Sequence, residues 1–565
     1  MADARFAQHI RLQPDATRYT WGHFIEDVAA RHGNRGGIRF EGRDIGAQEL
    51  LADARRLAKS LAVLGVGKGT RVALHMANRP EFASASFAVA MLGGVLVPVN
   101  TFATVDEREY ILRHSDSAVL LFQQRLLKHD FLQELLAILP GFAASAPLRD
   151  AKTPQLRHAV ALGLEASRGG VQAWDEFLAL GEEFPDAVLD GMLAEVRPAD
   201  DGLIIYTSGT TSRPKGVLHL QRAAVMQSWL IADEMRFTPE DRVWTTYPFF
   251  WSAGICMALG ATLAAGATLI LQETFEPGAA LNCIAKERAN ATQAWPHQAK
   301  AMAEHPLYTT LDLSHIDKEV CRLRPDIPPE EDLWGTQGSF GMTETFTFVA
   351  NLPADAPVEL RRNTSGKPRA GMRVRILDAA TGTPLPVGEE GEIAVKGLTL
   401  MRGYYKVNPE DCFDDEGFYH SQDGGSLDSE GYVHWRGRMS NLIKTGGANV
   451  SPLEIEEALL GYPELRAAVA FGAPHPDLGE VIVLCAVAMR GRTIDEAALL
   501  EALKAKLAAY KLPRHVLLFD EDELEFTGNQ KIQSGKLVEQ ALARLRDDAV
   551  HIAGVNYAEY LPGRA

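Results

Sequence analysis

Apolar positions between residues 44 and 65 recur at helical spacing and stop at Gly65, just before the strand-like Thr70-Arg-Val-Ala-Leu-His75. The same grammar returns at once. Phe82 to Leu92 reads as a helix, Gly93-Gly94 as a turn and Val95-Leu-Val-Pro-Val-Asn100 as a strand. No charge occurs between Arg242 and Glu273, a span long enough for a membrane helix. Pro248, Gly254, Gly260, Gly266 and several Thr and Ser interrupt it, and it ends in a strand-like Ala-Thr-Leu-Ile-Leu-Gln, so the pattern predicts a buried helix, a glycine turn and a strand. Helix and strand patterns alternate to about residue 350, which predicts an α/β fold with two related αβ layers.

From Val374 the texture changes to short strands with Gly, Pro and Asp turns, such as Arg373 to Leu377 and Gly391 to Lys396, and predicts a small β subdomain. Beyond Gly437 a helix (Pro452 to Gly461), two strands (Arg466 to Phe471 and Val481 to Met489) and a helix (Asp495 to Ala509) predict a compact α+β unit. The expected fold class is therefore α/β: a large multi-layer N-terminal domain, two αβ layers plus a small β subdomain, and a smaller mobile α+β C-terminal lid. Domains are expected at 1–437 and 438–545, with a tail at 546–565.

A length of 565 residues with 46% apolar side chains suits two to four domains. The net charge of −17, with no sustained basic run, argues against nucleic acid as a partner and against a polybasic membrane anchor. The five cysteines, Cys256, Cys283, Cys321, Cys412 and Cys485, show neither a C-x-x-C pair nor metal-ligand spacing, and read as reduced core residues of a cytoplasmic protein. The start, Met1-Ala-Asp-Ala-Arg-Phe, lacks the charged and apolar regions of a signal peptide. No transmembrane segment is expected.

The run Tyr206-Thr-Ser-Gly-Thr-Thr-Ser-Arg-Pro-Lys-Gly-Val217 carries the chemistry. Leu203-Ile204-Ile205 predicts a buried strand feeding a loop of hydroxyls and glycine, Thr207, Ser208, Gly209, Thr210 and Thr211, where backbone N–H groups can converge on phosphates, and Lys215 supplies a point charge. It is not a Walker A motif, because Pro214 falls where the second glycine belongs. No G-x-S-x-G elbow occurs, which disfavours hydrolase chemistry.

This loop resembles the phosphate-binding signature of the adenylate-forming superfamily, which includes acyl-CoA synthetases, luciferases and peptide-synthetase adenylation domains. Further motifs of that family stand in order: Phe340-Gly341-Met342-Thr343-Glu344; Asp423 after Phe418-Tyr-His-Ser-Gln; Gly437-Arg438 followed by Lys444-Thr-Gly446-Gly447-Ala-Asn-Val-Ser-Pro452; and a lysine beyond Tyr510-Lys511-Leu512-Pro513. Five motifs in order, covering roughly residues 20 to 540, are far more specific than any one alone. The resemblance implies an ATP-dependent, AMP-forming carboxylate–CoA ligase that makes an acyl-adenylate, with ATP, Mg²⁺ and coenzyme A as co-reactants. It implies Glu344 as a Mg²⁺ ligand, against a plain helix-cap acid; Asp423 as acceptor for the ribose hydroxyls; and Arg438 as a second nucleotide contact, against a surface ion pair. Thr210, Glu344, Lys444 and Lys531 are the catalytic candidates. Lys444, Gly446 and Gly447 would line a pantetheine passage, with an exposed strand lysine as the alternative for Lys444. The terminal lysine is Lys531, in Thr527-Gly-Asn-Gln-Lys531, or Lys536, in Ser534-Gly535-Lys536; spacing from the Tyr-Lys-Leu-Pro segment favours Lys531.

The chain departs from the family pattern in several places. Ser212 replaces a glycine, Arg322-Leu-Arg-Pro-Asp-Ile-Pro-Pro329 stands where a Gly-Gly-Ala-Pro-like adenine wall belongs, Trp251 stands where many members carry histidine, and Ser440 occupies a hinge position. Alternatives are a catalytically silent member of the fold, or acyl transfer to a carrier-protein thiol; no carrier domain or phosphopantetheine serine motif follows residue 545. The expected acyl pocket, Phe249, Phe250, Trp251, Trp295, Met342 and Phe346, is apolar and lacks lysine or arginine, which predicts a hydrophobic monocarboxylate as substrate. The oligomeric state is left open, a homodimer being one option.

Overall fold

The computed structural model describes residues 16–143, 146–207, 214–320, 323, 332–336, 338–439, 443–445, 448–476, 478–507, 511–524 and 533–561. Two compact units emerge. The first comprises Met1–Val374, Val395–Tyr419 and Gly431–Val433; the second comprises Arg375–Ala394, His420–Glu430 and His434–Ala565.

Among the described residues the first unit holds an eight-stranded and a six-stranded sheet. Helix α1 (Ala47–Val63) precedes β1 (Arg71–His75), helix α2 (Pro80–Met91) and β2 (Val95–Pro98); β3 (Asp201–Thr207) and β4 (Lys215–Leu220) follow. The eight-stranded order is Gly403–Tyr404, β4, β3, β2, β1, Val119–Gln123, His158–Leu162 and Val171–Ala173. It is parallel from β3 onward and antiparallel on the β4 side. The six-stranded sheet contains β5 (Arg242–Thr245), β6 (Thr268–Leu271) and β7 (Ala291–Gln293), in the order Lys318–Glu319, β7, β5, β6, Gly37–Phe40 and Arg43–Ile45.

Strand periodicity explains the layering. Val72 and Leu74 of β1 and Leu203 and Ile205 of β3 join one apolar cluster with Val243 of β5 and Leu269 of β6. The intervening Ala73 and Ile204 join a second cluster, and Trp244 and Ile270 a third. Successive side chains point to opposite faces, so each sheet is apolar on both sides and takes helices on both. Helix α2, buried from Phe82 to Met91, lies in the shared layer, which is why its sequence is apolar all round. The uncharged 242–273 span resolves into β5, a π-helical stretch Gly254–Gly260, a helix Ala261–Ala265, Gly266 and β6. Among the described residues no helix is long and apolar enough to cross a membrane.

The second unit contains most of a four-stranded sheet, Met372–Leu377, Gly391–Gly397, β8 (Tyr419–Leu427) and β9 (Val433–Arg438), which begins where the sequence changes texture. It also contains a five-stranded sheet centred on Gly479–Ala488, with Leu465–His475 antiparallel and His515–Phe519 parallel to it. Ile455, Leu499 and Leu503 cover one face of that sheet; Leu537, Ala541 and Leu545 of α3 (Ser534–Asp547) cover the other. Where the sequence analysis expects a tail, Ile552 and Tyr557 are buried in this second cluster, and the Tyr557 hydroxyl donates to the Pro474 carbonyl at 2.9 Å. Cys256, Cys283, Cys412 and Cys485 are free thiols; Cys321 lies outside the described residues.

Candidate active site

Strands β3 and β4 form an antiparallel pair in which Thr207 faces Lys215 and Tyr206 faces Gly216. This register puts the two ends of the phosphate-loop sequence side by side. Ser208, Gly209, Thr210 and Thr211 lie outside the described residues. The Lys215 ammonium sits over the Tyr404 ring, 5.0 Å from its centroid. Tyr206 bonds through its hydroxyl to His114 Nδ1 at 2.8 Å, and burial raises the phenol far above its ordinary range.

The Phe340-Gly-Met-Thr-Glu344 motif forms a hairpin: strand Phe340–Met342, a tight turn Thr343–Thr345, Phe346 in the left-handed region (φ 65°), and strand Thr347–Asn351. Glycine is required at 341, because a Cβ there would lie 2.1 Å from the Thr347 carbonyl oxygen. Buried polar side chains hold this turn from behind. Gln227 Nε2 donates to the carbonyls of Thr345 and Phe348, each at 3.0 Å. Arg369 bonds Gln227 Oε1 and, at 2.8 Å, Glu234 Oε1.

His219 Nε2 lies 2.8 Å from the Thr343 carbonyl oxygen. That oxygen can only accept, so the imidazole carries its proton on Nε2. The ring is fully buried, and desolvation pushes its pKa down to about 3, so it is neutral at working pH. On the open side, the Tyr404 hydroxyl donates to Glu344 Oε1 at 2.7 Å and meets the Tyr419 hydroxyl at 2.9 Å. Burial and the Glu344 carboxylate raise the Tyr404 phenol far above its ordinary range, so it stays a donor.

Tyr247, Phe250 and Trp251 follow the carboxyl end of β5, and Trp295 follows that of the adjacent β7. Trp251 meets Phe250 at 5.3 Å and Trp295 at 6.0 Å, edge to face. Trp295 meets Tyr247 at 4.6 Å. Buried Asn78 fixes the turn beneath them, donating to the Tyr247 carbonyl and accepting from the Phe249 N–H. Phe249 turns away from these rings; it is fully buried against Phe82. Phe346 is fully buried with its ring 4.9 Å from that of His219, and Met342 is half-buried on the same hairpin.

In the second unit, Asp423 is buried on β8. The Trp435 indole N–H donates to its Oδ1 at 3.1 Å, and Arg438 Nε lies 3.4 Å from the same oxygen. Arg438 also donates to the Ser421 carbonyl at 2.7 Å, and the Ser421 hydroxyl accepts from the Asp423 N–H at 3.0 Å. Lys444 lies in the strand Ile443–Thr445. Gly446, Gly447, Ser440, Lys531 and all but Leu323 of the 322–329 segment lie outside the described residues. Lys536 is exposed in the first turn of α3.

Sequence reasoning did not find His219, Gln227, Arg369, Tyr404, Tyr419, Trp435 or Asn78. Two of them carried a signal. Gln227 interrupts the apolar Ala223-Ala-Val-Met-Gln-Ser-Trp-Leu-Ile231 and His219 interrupts Val217-Leu-His-Leu220, and a polar side chain inside an apolar run must find a buried partner.

The AMP-binding enzyme family matches residues 25–405, and the AMP-binding enzyme C-terminal domain matches residues 454–531. The chain is 32% identical over 509 residues to a feruloyl-CoA synthase of an Amycolatopsis species, covering 88% of this chain and 94% of that protein. It is 30% identical over 508 residues to an indoleacetate–CoA ligase of Aromatoleum aromaticum, with the same two coverages. The crystal structure of the anthranilate CoA ligase AuaEII with anthranoyl-AMP shares the fold, with a TM-score of 0.77 at 23% identity over 93% of this chain and 98% of that one. The chain belongs to the AMP-binding enzyme family, and within it is an acyl-CoA synthetase: an AMP-forming acid–CoA ligase that uses ATP and CoA.

Proposed function

We propose that this ligase activates a hydrophobic monocarboxylate, with an aryl acid as the best-matched class, in preference to acetate or a dicarboxylate. The carrying observation is the aromatic set Phe250, Trp251 and Trp295 at the carboxyl ends of two adjacent parallel strands, the edge where open α/β sheets bind ligands. Apolar area buried there contributes about 25 cal/mol per Å², whereas a second carboxylate with no cation beside it would be strongly disfavoured. The feruloyl-CoA synthase and indoleacetate–CoA ligase relatives are named for aryl acids, which supports the class.

In the first half-reaction the acid's carboxylate attacks the α-phosphate of ATP and pyrophosphate leaves; in the second the CoA thiol displaces AMP. Two unit charges about 4 Å apart repel by roughly 4 kcal/mol at an effective dielectric near 20, so the first step needs cations. Lys215 and the loop beginning at Thr207 would hold the phosphates, and Asp423 with Arg438 the ribose. Lys531, which the C-terminal family match includes while stopping short of Lys536, would bridge the two anions as charge develops.

Glu344 would hold Mg²⁺. Tyr404 occupies its Oε1, while Oε2 has no protein partner among the described residues, and no group of three or more His, Cys, Asp or Glu side chains gathers there. One open carboxylate oxygen fits an ion held mainly by substrate phosphates and water. When bound, Mg²⁺ neutralises phosphate charge during displacement.

The test is pyrophosphate and CoA-dependent AMP release with benzoate, a phenylpropenoate, octanoate, acetate and succinate, using wild type and Trp251→Ala. An aryl or medium-chain preference is expected, with a broadened size profile in the variant. A preference for acetate or succinate overturns the substrate class.

A further inference from the structure

Phe102 lies in the loop that follows β2, well outside the sequence motifs. Its ring meets Phe250 edge to face at 5.7 Å, which extends the aromatic set into one ladder: Phe102, Phe250, Trp251, Trp295 and Tyr247, at successive centroid distances of 5.7, 5.3, 6.0 and 4.6 Å. The ladder starts at an exposed ring and ends at a buried one, with Phe250, 4% exposed, directly behind Phe102. Phe102 is 58% exposed, Trp251 and Trp295 are half-buried, and Tyr247 is 3% exposed.

The position of Phe102 follows from the sheet. Strand β2 is parallel to β3, with Leu96 opposite Leu203, so the chain just past β2 reaches the level of Thr207, where the phosphate loop begins. Adjacent strands lie about 4.8 Å apart, so this loop stands beside the phosphate-binding end. The backbone on both sides of Phe102 is fixed. The Asn100 side chain accepts from the Phe102 N–H at 2.8 Å, and Thr104 with Glu107 forms a capping box on the helix Val105–His114. A lone exposed phenylalanine is ordinary on a protein surface. One held by a fixed loop at the end of a ring ladder, between the phosphate strand and the acyl-pocket turn, is placed to touch substrate.

We infer that Phe102 is a specificity-determining residue: its ring forms the outer wall of the acyl channel and packs on acids too long to be covered by Trp251 and Trp295 alone. This rests on the proposed hydrophobic-acid reading. The chemistry recognised is an apolar, preferentially aromatic, distal group, through the edge and face contacts that aromatic rings prefer.

The experiment is steady-state kinetics of pyrophosphate release for wild type, Phe102→Ala and Phe102→Tyr with benzoate, 3-phenylpropanoate and 5-phenylpentanoate, together with thermal melting. In Phe102→Ala, kcat/KM for 5-phenylpentanoate is expected to fall about fivefold through KM, the size of one lost aromatic contact. Benzoate, the KM for ATP and the melting temperature should stay unchanged, and Phe102→Tyr should restore the long acid. An unaltered length profile in Phe102→Ala, or a uniform loss across all three acids with a shifted ATP KM, overturns the inference while leaving the substrate class standing. A wild type that prefers acetate or succinate overturns both.

Discussion

The Tyr404 hydroxyl donates a 2.7 Å hydrogen bond to Glu344 Oε1, so the proposed metal ligand is aimed by a residue 60 positions away on the strand next to β4. Hydrogen bonds to charged groups contribute about 1.5–3 kcal/mol, which predicts that Tyr404→Phe lowers kcat/KM for adenylation by roughly ten- to a hundredfold. The ring beneath Lys215 is kept, so the KM for ATP should change less than kcat. Glu344→Gln should fall further and recover in part as Mg²⁺ is raised. Pyrophosphate release across a Mg²⁺ series checks all three, and equal activity in wild type and Tyr404→Phe would remove the tyrosine from the site. Because its phenol is raised out of reach, no break from Tyr404 should enter the pH–rate profile between pH 6 and 9.

His75 and His219 set an acid limit on stability. Burial pushes both imidazoles down to about 3, while in the unfolded chain each titrates near about 6.5. Between those values the unfolded state takes up the proton and the native state does not. Stability is therefore fully present above about pH 6.5 and falls as pH drops toward 3, by ~1.4 kcal/mol per pH unit for each group. His75 packs its ring 4.2 Å from Phe131 with Nε2 buried and unpartnered, so His75→Leu removes one titration and leaves no polar atom stranded. The melting temperature of wild type should fall from pH 6.5 to pH 4.5, and the fall should be shallower in His75→Leu. Parallel curves would refute this assignment.

How far the sequence reached can be seen in particular elements. Helix α2 and β2 were legible because Pro80, Gly93 and Gly94 punctuate an apolar run, and the uncharged 242–273 span was legible because Pro248 and its three glycines argue against a spanning helix. Periodicity could not show which strands are neighbours. The pairing of β2 with β3 sets residues 96 and 203 side by side, and that pairing places Phe102. The network behind Glu344 was invisible for the same reason, since Gln227 and Arg369 are 142 positions apart. Phe249 and Phe250 read alike as aromatic neighbours, yet one turn of backbone held by Asn78 sends Phe249 into the core and Phe250 toward Trp251.

Asp423 shares its Oδ1 with the Trp435 indole N–H and Arg438. If the carboxylate binds the ribose, its contacts exist in ground and transition states alike, so Asp423→Ala should raise the KM for ATP about tenfold or more with kcat nearly kept. Trp435→Phe removes only the orienting donor and should raise that KM by a few-fold. In Asp423→Ala/Trp435→Phe the two effects should be less than additive, because the indole acts through the carboxylate. Full additivity would separate them, and an unchanged ATP dependence in Asp423→Ala would exclude that residue.

The terminal lysine is separable by half-reaction. Lys536 is exposed in the first turn of α3, a helix end whose dipole disfavours a cation. Lys531 falls inside the C-terminal family match and at the motif spacing from Lys511. An ammonium bridging substrate carboxylate and α-phosphate stabilises charge present only as the adenylate forms, and loss of such a donor costs about 3 kcal/mol or more. Lys531→Ala should therefore slow acid-dependent pyrophosphate release by at least about a hundredfold, while thioester formation from supplied acyl-adenylate and CoA stays within a few-fold of wild type. Lys536→Ala should leave both half-reactions intact. If Lys536→Ala instead abolishes adenylation and Lys531→Ala spares it, the bridging role passes to Lys536; if both half-reactions fail together in Lys531→Ala, the lysine acts on folding or nucleotide binding and not on the charge of the first step.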